Sequence, residues 1–449
     1  MRADRPPAPA IAATHDRTAR ALLAQEARAL LTRIERLSPF ALKMPMVTAA
    51  TVSPAAQTGV ETLLLRGRRE LARMVRAYLA WLGRADPPPT AAQAQRRFNI
   101  LRLRFNTIIR HFDVFASVLG QRSEHETGVW VAGLDDVAAD ALTLPGRYFQ
   151  APPIICYLDR NHGAAIRRAY TRLPGGESNP VAVISIPRER MIGSGIASSL
   201  MHKIRHQDAA LLRLVPSLRA ELHDRHRREP EHAPAWHWFE KWISEIMADF
   251  WSVARIGVGS TLGLMAVLSL PKPFVFRLDP DDPHPIPWLR VKASCAFGDR
   301  LYPHPQWRRL ARVWQALYPP VDVDPGVGDV IARCERRIDE LAALIAEHRP
   351  AALRGAALGK VLTSDLLRPE RLQAQLATWR QRPQLVETAG PCHVFAVIGQ
   401  ARADNQLTPE GEARALSRLL TYWALKSALE TTAHCAPRIR GAAAQAALI

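Results

Sequence analysis

Met201-His202-Lys203-Ile204-Arg205-His206-Gln207, taken with Ser244-Glu245-Ile246-Met247-Ala248-Asp249, carries the reading of the whole chain. Residues at i and i+4 of a helix share one face, so His202 and His206 can direct two imidazoles at one metal ion. Zinc takes nitrogen and carboxylate oxygen ligands, and it fits the set once Glu245 is added. Asp249 lies one turn beyond Glu245. From there it can accept the second ring N–H of a liganding histidine and hold its orientation.

Outward from these segments the periodicity changes with position. Ile154-Ile155-Cys156-Tyr157-Leu158 and Val181-Ala182-Val183-Ile184-Ser185-Ile186 are short β-branched runs between turn residues, and they read as strands. Between them a short helix is expected over Ala164 to Arg172 and a turn at Pro174-Gly175-Gly176. Ser194 is the candidate N-cap of the helix that carries both histidines. Downstream, the polar run from Glu221 to His232 reads as an excursion or linker, and Trp236 to Arg255 reads as a helix. The apolar run from Ile256 to Leu270 is shorter than the roughly twenty residues of a membrane span and reads as a buried helix.

Strands, then a helix with HxxxH, then a helix with Glu245 and Asp249 is an order that resembles the gluzincin-type zinc metallopeptidases, over residues from about 128 to 305. Their signature is HExxH followed by ExxxD. A third stretch, Asp282-Pro283-His284-Pro285-Ile286-Pro287-Trp288-Leu289-Arg290, is similar to the HPxxxxR of one group among them. The resemblance implies an α+β, zincin-like metallopeptidase domain flanked by helical N- and C-terminal regions. It implies zinc on His202, His206 and Glu245, with Asp249 behind a histidine and His284 and Arg290 toward substrate or oxyanion. Read from the residues alone, 282–290 is equally a Pro-rich loop with a surface salt bridge.

One position departs from the family. Where those enzymes carry the glutamate that takes a proton from the attacking water, this chain carries Lys203. An ammonium of ordinary pKa, near ~10.4, has no lone pair at neutral pH. It also repels a cation, by about 4 kcal/mol per unit charge at 4 Å if the effective dielectric is near 20. The pattern therefore points to a catalytically inactive metallopeptidase homologue that binds a polypeptide or partner protein without cutting it. Lys203 at the base position is then non-functional in hydrolysis. Three other readings stay open. Burial can neutralise a lysine, which gives a zinc-dependent peptidase with an unorthodox base. The Lys203 ammonium can replace the metal by pairing with Glu245 or Asp249. Or the chain is a basic helical module that binds nucleic acid or an acidic partner.

A chain of 449 residues calls for two or three domains. The expected division is a disordered N-terminus over 1–14, a helical bundle over 15–125, the zincin-like domain over 128–318, a C-terminal helical region over 319–436 and a loose tail over 437–449. In the bundle, helices are expected from Asp16 to Leu37 and from Pro54 to Leu82, and a third starts at a Thr90/Gln93 capping box. Phe98, Leu101, Phe105, Ile108 and Phe112 give that third helix a core stripe. Arg97, Arg102, Arg104 and Arg110 form either a docking face for an acidic partner or a solvated one. A helix is expected from Val327 to Glu347, and another where Thr408 precedes Pro409.

The net charge of +18 attracts nucleic acid or anionic lipid without specificity, and no zinc-finger, RRM or KH motif sharpens it. Five scattered cysteines, none in a CxxC pair, exclude a disulfide framework and a Cys-type zinc site. No apolar signal region opens the chain and no segment suits a membrane span, so a soluble cytoplasmic protein is expected.

Overall fold

Local chemistry starts the first long helices. Ser53 caps α2 (Pro54–Arg84), and Thr90 with Gln93 forms a complete capping box on α3 (Ala91–Gly120). These two pack with α1 (Ala8–Arg36) in the computed structural model, which describes residues 8–159, 165–173, 176–188 and 195–446. Phe98, Leu101, Phe105, Ile108 and Phe112 are buried in the bundle as their spacing requires. Of the arginines beside them, Arg97 lies over the Trp81 ring and Arg104 pairs with Glu70 at 3.2 Å, so part of that basic face is used within the bundle.

After α4 (His125–Leu142) come β1 (Ile154–Asp159), β2 (Ala165–Arg167) and β3 (Ala182–Pro187), in spatial order β1-β3-β2. β1 runs parallel to β3 and β2 antiparallel to it. Strand alternation sends Ile155 and Val183 into the N-terminal bundle, while Ile154, Cys156, Ala182 and Ile184 face a core shared with α4. The sheet is thus covered on both faces.

α5 (Gly195–Leu211), α6 (Leu214–Arg228), α7 (Ala233–Ile256), α8 (Val258–Leu268), α9 (Lys272–Val275) and α10 (Pro287–Leu301) follow. Then come α11 (Pro305–Leu317), α12 (Pro325–Glu335), α13 (Ile338–Glu347), α14 (Leu358–Leu362), α15 (Pro369–Gln381), α16 (Pro391–Ala403) and α17 (Pro409–Ala446). One core spans residues from Leu144 to Leu362. A second joins α4, the sheet and α5 to α15, α16 and α17. No helix among the described residues is long and apolar enough to cross a membrane.

The α+β, zincin-like class is overturned. The described residues are helical along most of their length and form only three short strands. The reason is local. α4 occupies the region where the zincin-like domain was expected to begin, and its densely apolar sequence has little of the one-sided pattern that marks a helix. The helix expected over 164–172 is instead β2 and a bend, in which Tyr170 takes a positive φ; Ala164 lies outside the described residues, as do Pro174, Gly175 and Ser194. The polar run from Glu221 is the continuation of α6, ending at Arg228. The helix expected from Val327 to Glu347 is two, α12 and α13. At the ends, α1 already begins at Ala8 and α17 runs to Ala446, so 8–14 and 437–446 are helical; residues 1–7 and 447–449 lie outside the described ones. Thr408 does accept the Gly411 N–H, with Pro409 opening α17.

Candidate metal centre

α5 and α7 carry the candidate site, and their separation is set by close packing. A Cβ at Gly263 of α8 would lie 2.4 Å from Ser198 Cβ, so only glycine lets α8 press on α5 there. Ser198 Oγ donates to Ser260 O across the same contact. α7 is anchored by Trp236 and Trp242, both fully buried, and ends at Gly257, whose φ of 57° turns the chain into α8.

The histidine pair projects from α5 as its spacing predicts, with ring centroids 5.2 Å apart. His202 Nε2 lies 2.9 Å from Glu245 Oε2, and His206 Nε2 lies 3.4 Å from Glu245 Oε1. One ligand atom from each of the three falls within 4.8 Å of the others. Tetrahedral ligands about 2.0–2.1 Å from a zinc ion stand about 3.3 Å apart, so the set needs only small adjustment to close on one ion. Asp249 Oδ1 is 3.0 Å from His202 Nδ1. Both His202 nitrogens thus face a carboxylate, which only accepts: Nδ1 faces Asp249 and Nε2 faces Glu245. Glu245 Oε2 is buried and has no well-aligned hydrogen bond.

Electrostatics agree with a cation site. Burial pulls His206 down to about 4, with the charges of Lys203 and Arg168 acting in the same sense, so its imidazole is neutral at pH 7. Burial opposes ionisation of Glu245, but the nearby His202, His206 and Arg290 outweigh it and hold the carboxyl well below its usual range. A single proton between His202 and Glu245 would satisfy one imidazole. A metal ion would satisfy both, and the donor set fits zinc.

Arg290 does not stand free over the site. Its guanidinium grips Asp249 in a bidentate pair, Nε to Oδ2 at 2.6 Å and Nη2 to Oδ1 at 2.9 Å. Its Nη2 is 3.2 Å from His202 Nδ1 and 4.0 Å from Glu245 Oε2. It therefore positions the support of His202, through a pair that is buried and not at the surface. His284 does reach the centre. Its Nδ1 lies 2.5 Å from Asp282 Oδ1, and its half-exposed ring brings Nε2 to 3.3 Å from Glu245 Oε2. Asp282, its partner, was quoted in the HPxxxxR stretch without a role; an aspartate two residues before a histidine is the only signal it offers.

Lys203 lies partly buried on α5 between the two ligands. Among the described residues it makes no ion pair, so its ammonium does not take a metal's place against Glu245 or Asp249. Arg205 points the other way. It is fully buried, paired with Asp208 and stacked on the Trp251 ring at 3.0 Å. Burial lowers Arg205 and raises Asp208, as expected of a pair removed from water. Asp208 stands at i+3 on the same helix, a pairing that helical spacing permits, whereas Trp251 reaches Arg205 only through the fold.

No model of a protein family, no curated protein and no solved structure matches the chain, so the site is read from its residues and geometry alone.

Proposed function

We propose that the chain binds zinc through a ligand set like that of gluzincin-type metallopeptidases, binds a polypeptide there and does not hydrolyse it. The observation that carries this is the convergence of neutral His206, the His202 ring and ionised Glu245 on one point between α5 and α7. Bound there, zinc would supply a Lewis acid that polarises a carbonyl. The chain's own residues do the rest. Asp249 holds the His202 tautomer, Arg290 holds Asp249, and His284 borders the ion's position beside Glu245.

No carboxylate stands at position 203 to accept a proton from water, and a lysine ammonium cannot. Burial lowers the proton affinity of Lys203, the direction an unorthodox base needs, while Glu245 and Asp249 oppose it. Support for a polypeptide ligand comes from β2, which pairs with β3 on one side and has no partner strand on the other among the described residues. Just beyond it the Ala169 N–H donates to Oε1 of Gln207, the neighbour of His206, at 2.8 Å, so β2 lies near the centre. An extended chain can add to such an edge.

Metal analysis of the purified, untagged protein tests the metal. About one zinc per chain is expected, falling in His202→Ala, His206→Ala and Glu245→Ala; equal content in all four proteins would refute the assignment. Peptidase assays test the chemistry. The parent is expected to cleave no more than His202→Ala, and chelator-sensitive cleavage by the parent alone would establish the peptidase reading instead.

A further inference from the structure

Replacing a glutamate with Lys203 changes more than the supply of a base, because it moves the local charge by two units. Among the described residues, the cations that act electrostatically on Glu245 or His206 include Lys203, Arg290 and Arg168, and the carboxylates at the centre are Glu245, Asp249 and Asp282. These cancel, so a divalent ion held by His202, His206 and Glu245 leaves two positive charges uncompensated. The carboxylates are already engaged: Asp249 by Arg290 and His202, Asp282 by His284, and Glu245 by the ligand cluster. Arg290 is likewise occupied by its bidentate pair. Lys203 is partly buried and makes no ion pair among the described residues. Three protein ligands leave a fourth tetrahedral position open. A partly buried ammonium beside a divalent ion is unfavourable unless an anion lies between them.

Resting on the zinc site proposed above, we infer that the centre takes an oxyanion as the fourth ligand of the metal, paired with the Lys203 ammonium. The edge of β2 that has no partner strand among the described residues favours the C-terminal carboxylate of a polypeptide as its source. Metal and anion are then coupled, each tightening the other by the same factor. Lys203 thus becomes the residue that selects an acidic ligand.

The test is the zinc affinity of the full chain, measured by competition with a chromophoric chelator. It is run alone, with acetate, with an N-acetylated dipeptide bearing a free C-terminus, and with the same dipeptide amidated. The free-acid dipeptide is expected to raise zinc affinity about tenfold, acetate to raise it less, and the amide to leave it unchanged. Lys203→Met should bind zinc more tightly than the parent without anions and lose the response, whereas Lys203→Arg should keep it. Circular dichroism confirms that both variants fold. Response to acetate but not to the free-acid dipeptide would keep the oxyanion site and overturn the peptide source. Zinc bound with equal affinity under all four conditions would overturn the inference and leave the metal site standing. Absence of zinc binding in both the parent and Lys203→Met would overturn the metal site and the inference together.

Discussion

His206 stays neutral far below the pH at which a free imidazole protonates, chiefly because its ring is buried between α5 and α7. The unfolded chain takes up that proton near pH 6.5, and the native zinc-free protein only near pH 4. Stability from this group is therefore complete above about pH 6.5 and is lost as the pH falls toward 4, by up to about 3 kcal/mol. Urea midpoints of the zinc-free protein at pH 7 and pH 4.5 check this, and His206→Gln should narrow the gap between them. Asp249 acts one bond further out. Asp249→Asn leaves the three ligands in place but removes the charge that fixes the His202 tautomer and engages Arg290. Zinc affinity is expected to fall about 10–100-fold, measured by chelator competition; an unchanged affinity would show that Asp249 does not support the site.

α5, which carries both candidate histidine ligands, is packed directly against α8 at Gly263. Gly263→Val places carbon where Ser198 already sits, so α5 must shift or the contact must open. A loss of about 1–3 kcal/mol is expected, seen as a lower thermal midpoint, with weaker zinc binding as α5 moves away from α7. A lower midpoint with zinc affinity intact would mean that the helix pair tolerates the displacement. The same elements show what could be read beforehand. HxxxH and Glu245-x-x-x-Asp249 are each patterns within one helix, so their faces followed from 3.6-residue periodicity. The Arg290–Asp249 grip joins α10 to α7, and no spacing in the chain announces it.

The candidate metal position sits where two cores meet. α5 contributes Ile196, Leu200 and Met201 to the core shared with the sheet, α16 and α17, whereas α7 contributes most of its buried face to the core that runs from Leu144 to Leu362. A zinc ion bridging the two helices therefore couples both cores. Scanning calorimetry should show zinc raising one cooperative transition, by about 2.7 kcal/mol at a free concentration one hundred times the dissociation constant. A second transition unmoved by zinc would show that the cores unfold independently.

Local rules carried by the sequence determined the helix starts at Ser53, Thr90 and Thr408, the core stripe of α3, the strands β1 and β3, and the candidate ligands His202, His206 and Glu245 with Asp249 beside them. Each depends on residues within a few positions of one another, except that the His202/His206 pair and the Glu245/Asp249 pair are local patterns on two separate helices. Only the tertiary structure decided the class. α4 has too little one-sided apolar pattern to announce itself, and β2 is too short to carry a signal, so the region expected to be mixed is dominated by helices. Only the tertiary structure, too, showed that Arg290 is spent on Asp249 and that Lys203 has no ion-pair partner among the described residues. Which charges cancel at a site depends on contacts between helices far apart in the chain, and periodicity along one helix carries no information about them.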